Sequence, residues 1–157
     1  MKITDINMPM QAFIYGGIHI LSNRLQTVGD RIDPTISAKQ WFLLAVISKF
    51  NEKPPNIGDA AEALGTSRQN IKKMALILEK RGFLKLEKDS ADLRSIRLFL
   101  TEKCGEYFKS REQQEHEYIE RIFSGMDDEM LAALCSGIRK LAENIDIMLK
   151  DGINGKK

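Results

Sequence analysis

Apolar residues recur at spacings of three and four along most of the chain, the period of helices that bury one face. A first helix is expected from about Met10 to Val28, with Phe13, Ile14, Gly17, Ile18, Leu21 and Leu25 on one stripe and Gly29 ending it. A second begins behind Ser37, whose hydroxyl can accept the amide of Gln40 while Gln40 reaches back, and Ile36 can staple onto Trp41. It continues through WFLLAVISKF, apolar on nearly all sides and so expected in a core. Asn56 and Asp59 have the capping spacing for a short third helix with Ala60, Ala61 and Leu64 inside. Gly65 permits a sharp turn, and Thr66 with Gln69 is read as a further capping box opening TSRQNIKKMALILEKRGFL. In this fourth helix Ile71, Met74, Ala75 and Leu78 share one face, with Gln69, Lys72, Lys73 and Lys80 opposite. Leu76 points outward, either toward a ligand surface or under a neighbouring element, and Gly82 closes the helix.

After Gly82 the period changes from helical to alternating. Phe83, Leu84 and Leu86, then the polar stretch KDSADLRS, then Ile96, Leu98 and Leu100 describe a two-stranded hairpin with a long charged tip. Thr101 caps a helix through about Phe123, Asp127 caps a last one, and the tail DGINGKK is expected to fray. Two helices around a glycine turn followed by a charged hairpin make a winged helix. The expected fold is mainly α with a small two-stranded β wing, a winged helix-turn-helix at 37–101 between flanking segments 1–36 and 102–157.

Charge sharpens this picture. The chain of 157 residues is 43% hydrophobic and 29% charged with a net charge of +2, enough to bury a core in one domain or two small interlocked ones. The +2 is unevenly placed: 1–65 is neutral, 66–97 carries nine basic against four acidic residues, 98–130 four against nine, and 131–157 five against three. A basic block in mid-chain suggests a local anion-recognising element. It coincides with the fourth helix and the hairpin.

Several classes drop out. No apolar run approaches the roughly 18–20 residues of a membrane span, and the N-terminal MKITDINMPM lacks a secretion-signal layout, so the cytoplasm is expected. Cys104 and Cys135 do not make a disulfide framework and read as reduced thiols. Nucleotide-binding, zinc-protease, serine-hydrolase and CxxC motifs are absent, so no catalytic residue, cofactor or metal is assigned.

The first turn of a recognition helix offers backbone amides to phosphate while residues just inside it reach base edges in the major groove. In the recognition helix, placed at 66–81, those positions are Ser67, Arg68, Gln69 and Asn70. Arginine suits guanine, and Gln or Asn suits adenine; Lys72, Lys73 and Lys80 would hold phosphates. Lys88, Asp92, Arg94 and Arg97 belong to the same candidate DNA surface on the wing, placed at 85–97.

The succession ISAKQWFLLAVI, NIGDAAEALGTSRQNIKKMALILEKRGFL, the wing DSADLRS with its D-x-R at Asp92 and Arg94, and LTEK at Leu100 to Lys103 resembles the MarR family of transcriptional regulators over about residues 10–150. The resemblance implies a homodimer whose first and last two helices interlock, two winged lobes on an inverted repeat in double-stranded DNA, and Arg94 in the minor groove oriented by Asp92. Where the family commonly has glycine after L-T-x-K, this chain has Cys104 and then Gly105. The flanking helices agree with a dimer, because a winged helix of about 65 residues cannot cover their apolar stripes. Two-fold symmetry then sets the recognition helices about 34–36 Å apart.

The resemblance also implies a repressor that responds to a small aromatic effector, with Tyr15, His19 and Trp41 as candidate ligand contacts against the reading that they are core. Cys104 sits in a helix's first turn, where the dipole can lower a thiol pKa, against the reading that it is buried and inert. Cys135 reads as core. Glu112, His116 and Glu120 share a helix face and could give part of a zinc site, against a solvated acidic helix. The competing function is a winged-helix protein-interaction module without specific DNA binding, with the acidic 98–130 block facing a partner.

Overall fold

A computed structural model of the chain describes residues 8–50, 53–90 and 92–151; of the tail 151–157 expected to fray, Asp151 ends the last helix and 152–157 lie outside the described residues. The elements run α1 (Met10–Ile32), α2 (Ala38–Ile47), α3 (Ile57–Ala63), α4 (Arg68–Lys80), β1 (Leu84–Lys88), β2 (Ile96–Leu100), α5 (Glu102–Ile122) and α6 (Asp128–Asp151). The fold is mainly helical with one two-stranded antiparallel sheet, and it divides into compact units Met1–Lys109 and Ser110–Lys157. Among the described residues no helix is long and apolar enough to cross a membrane.

In the first unit α1 does not stop at Gly29. It runs on to Ile32, and the Asp33 amide donates to the Gly29 carbonyl at 3.3 Å. The glycine is needed for clearance, since a Cβ there would lie 2.8 Å from the Cβ of Ala38 at the start of α2. The Ser37 capping box forms as the spacing implied: Gln40 N–H donates to the Ser37 hydroxyl at 3.3 Å, and Ser37 N–H to the Gln40 side chain at 3.1 Å. Helix α2 is shorter than its apolar run. Beyond Ile47 the amides of Lys49 and Phe50 bond to carbonyls only three residues back, the tightening usual at a helix end. Nor is it buried all round, for Phe42 is 54% exposed while Leu43, Leu44 and Ile47 face the core.

Helix α3 is fixed by Asn56, whose side-chain oxygen accepts from Gly58 and Asp59, while Asp59 accepts from the Asn56 amide at 2.8 Å. The turn to α4 passes through Gly65 at φ +59°, and α4 ends at Gly82 at φ +79°, a left-handed conformation that glycine adopts without steric cost. Strands β1 and β2 pair Leu84 with Leu100, Leu86 with Leu98 and Lys88 with Ile96. Leu84 and Leu98 turn inward, and the Leu98 amide also donates to the Pro55 carbonyl at 2.9 Å, tying the hairpin to the entrance of α3. Thr101 joins hairpin to helix: its hydroxyl donates to the Gly82 carbonyl at 2.7 Å and accepts from the Cys104 amide at 3.2 Å.

The core lies between Ile36 and Cys104, with Leu43, Leu44, Ile71, Leu78 and Leu98 at or near zero exposure. In the second unit α6 starts at Asp127, whose carboxylate accepts the Met130 amide at 2.8 Å. No residue of α6 is buried: Met130, Leu134, Ile138, Leu141, Ile145 and Leu149 are all exposed. Cys135 is exposed too, so it is not core of the single chain.

Candidate nucleic-acid interface

Helix α4 presents its outer face because its inner face is saturated. Ile71, Ala75 and Leu78 are buried at helical spacing, which turns Arg68, Gln69, Lys72, Lys73, Leu76 and Lys80 to solvent. The N-cap is Ser67, one residue later than the expected Thr66: the Ser67 hydroxyl accepts the Asn70 amide at 3.2 Å. Thr66 instead accepts from the Asn70 side-chain amide at 3.1 Å, so Asn70 is braced from both sides. The first-turn amides of α4 have no intrahelical acceptor and carry the positive end of the helix dipole, which suits a phosphate oxygen. Arg68 folds back over the start of α3, close enough that a Cβ at Gly58 would stand 3.4 Å from its guanidinium.

On the wing, Lys88 is exposed at the end of β1. The Asp92 carboxylate accepts the backbone amide of Arg94 at 3.0 Å and the Asp92 carbonyl accepts that of Ser95 at 2.8 Å, so Asp92 shapes the turn that holds Arg94 out. Arg97 must be removed from the candidate DNA contacts. Its side chain is 14% exposed, pairs with Asp89, itself 6% exposed, and donates to the Pro54 carbonyl. A cation held this way fastens the wing to the lobe. Lys53 approaches the same carboxylate at 3.7 Å, and Glu79 on α4 accepts the Leu86 amide of β1 at 3.0 Å. Sequence reasoning missed Asp89 and Glu79 as wing anchors; an acid beside a basic tip and an acid on a basic helix were the available signals.

The candidate effector residues separate. Tyr15 and His19 meet edge to face at 4.9 Å on α1, with Tyr15 71% exposed, whereas Trp41 packs against the lobe core. Cys104 is buried, and burial pushes its thiol up to about 11, the opposite of the lowering a helix dipole alone would give. His116 pairs with Glu120 at 3.3 Å on an exposed face of α5. The connector after α1 is held by two further contacts: the Tyr107 phenol donates to the Asp33 carboxylate, and the Arg81 guanidinium at the end of α4 donates to the Thr35 carbonyl.

This arrangement matches known proteins. Over 91 residues the sequence is 33% identical to the transcriptional repressor MprA of Escherichia coli strain K12, a match covering 58% of this chain and 52% of MprA. The chain thus spans about half the length of the curated relatives it matches. A MarR transcriptional regulator from Methanosarcina mazei Go1 has the same fold at TM-score 0.75 and 26% identity, over 87% of this chain and 99% of that one. The chain has the fold of MarR-family transcriptional regulators and resembles a transcriptional repressor in sequence. The MarR-family fold is also that of S. aureus MepR, solved as a DNA complex, at TM-score 0.74 and 14% identity over 88% of this chain and 99% of MepR. No family model matches the sequence. The exposed cations Lys72, Lys73, Lys88 and Arg94 lie on the helix and hairpin that the winged-helix architecture uses to meet DNA.

Proposed function

We propose that this chain is a MarR-family, sequence-specific DNA-binding transcriptional regulator, a cytoplasmic repressor acting as a homodimer on an inverted repeat. One observation carries the reading: Ser67, Arg68, Gln69, Asn70, Lys72 and Lys73 are exposed together on the first two turns of a helix whose opposite face is locked into a core. Arg68, Gln69 and Asn70 read base edges, Lys72, Lys73 and Lys88 hold phosphates, and Arg94 enters the minor groove from a turn shaped by Asp92. The MprA likeness supports repression.

The homodimer reading rests on the uncovered apolar stripes of α1 and α6, where Phe13, Ile18, Leu21, Ile138 and Ile145 are exposed. Stripes of this length on helices need a partner to leave water. On this division 1–36 and 102–157 serve dimerisation and 37–101 meets DNA. A small aromatic effector would meet Tyr15 and His19, whose rings already stack edge to face. A protein-interaction module is the weaker reading, because the exposed basic row is set beside first-turn amides, a combination suited to phosphate. Selection of bound sequences from random duplexes tests the function. An inverted repeat with half-sites about one helical turn apart is the expected outcome; no enrichment over random duplex at moderate salt would overturn it.

A further inference from the structure

Leu76 is an apolar side chain in line with Gln69 and the lysines, and with its neighbour Ile77, 43% exposed, it interrupts an otherwise polar and cationic outer surface of α4. It is 49% exposed, so the hairpin does not cover it, and the inward positions of α4 are already filled by Ile71, Ala75 and Leu78. It follows Lys72 and Lys73 at helical spacing and precedes Lys80 by four, so cations flank it along the helix and all are exposed. A protein surface closing over Leu76 would have to desolvate Lys72, Lys73 and Lys80 with it. The major groove has no such conflict: its rims are phosphates that take the lysines, and its floor carries one apolar group, the C5-methyl of thymine.

We infer that Leu76 is a specificity-determining residue that packs against a thymine methyl in each half-site. Leu76 lies seven residues beyond Gln69, about 10 Å further along the helix axis, so it addresses a different base pair from the one met by the first turn. Leucine cannot hydrogen-bond a base edge, so it selects for thymine by apolar contact and against cytosine, which offers an amino donor and no methyl there. The inference rests on the DNA-binding reading above.

The test takes the full-length protein and its selected duplex and replaces each thymine in turn by deoxyuridine, which removes only the methyl. One symmetry-related thymine is expected whose demethylation weakens the wild type about 3- to 10-fold, the scale of one buried methyl group per half-site. L76A is expected to lose a similar factor on the thymine duplex and to be insensitive to uracil at that position, while keeping the wild-type melting temperature because alanine is a good helix former. L76M, which restores an apolar side chain of similar reach, is expected to regain the sensitivity. If L76A responds to uracil at every position as the wild type does, the assignment of Leu76 is overturned while the DNA reading stands. If the wild type itself shows no sequence preference, both fall.

Discussion

The lobe between Ile36 and Cys104 and the helix α6 treat their apolar helix faces in opposite ways. In the lobe Leu43, Leu44, Ile71, Leu78 and Leu98 are removed from water by their own chain. On α6 no side chain is buried, and Met130, Leu134, Ile138, Leu141, Ile145 and Leu149 stay exposed along 24 residues. Capping and turn chemistry are spent mostly on the lobe, where Ser37, Asn56, Ser67 and Thr101 each close a helix start within a few residues of a core contact. The difference separates two tasks. A lobe complete in itself can hold a recognition helix in a fixed attitude, whereas on the homodimer proposal a scaffold incomplete in itself would make the active unit depend on a second copy.

That contrast can be broken most forcefully from inside the lobe. L78A removes a fully buried leucine between α4 and the core and is expected to cost about 2–5 kcal/mol. Chemical denaturation should show the loss to be the same at every protein concentration. Next comes the scaffold: I138E with L141E leaves the lobe intact and is expected to yield a folded monomer by sedimentation, with affinity for an inverted repeat lowered about 100-fold or more as the two half-sites lose their linkage. A lobe that unfolds with this pair would erase the distinction. At a smaller scale, S67A removes the cap of α4 and should cost about 1 kcal/mol, measured by thermal unfolding. T66A should cost less, since the Thr66 hydroxyl accepts from the Asn70 side chain and not from a backbone amide of the helix.

The two cysteines sharpen the same comparison through chemistry. Cys104 lies in the lobe core and Cys135 on the exposed scaffold helix. A thiol-disulfide reagent at pH 8 is expected to label one thiol per chain when the protein is dilute enough to be monomeric, and C135S should abolish the labelling. The pKa of Cys104 is raised from 9.0 to about 11 by burial. The folded state therefore keeps its proton where the unfolded chain loses it, and the contribution to stability is whole below pH 9 and lost as pH rises from about 9 to about 11. C104A should remove this part of the alkaline decline.

Local features of both fold and site were legible in the sequence, and non-local ones were not. The capping boxes of Ser37 with Gln40 and Asn56 with Asp59 were readable because cap and partner are three residues apart and each side chain bonds the other's backbone. The cap of α4 slipped by one because Thr66 and Ser67 are adjacent hydroxyls, each followed at three by an amide side chain, and only the backbone geometry at Ser67 decides between them. Gly29 looked like a helix stop, and its actual role, clearance for Ala38, depends on how two helices pack. Arg97 counted among basic wing residues until the fold placed Asp89 beside it. The direction of Leu76 was readable from the helical wheel, and the choice between wing and solvent needed the hairpin's position.

On the function proposed, the exposed row on α4 is the DNA-binding face. Its most direct test is the salt dependence of binding to the selected duplex for the wild type and for K72A with K73A. The double variant is expected to bind all sequences more weakly, with the slope of log affinity against log salt shallower by about 2 for each chain engaged and the ranking of sequences preserved. An unchanged slope would contradict it.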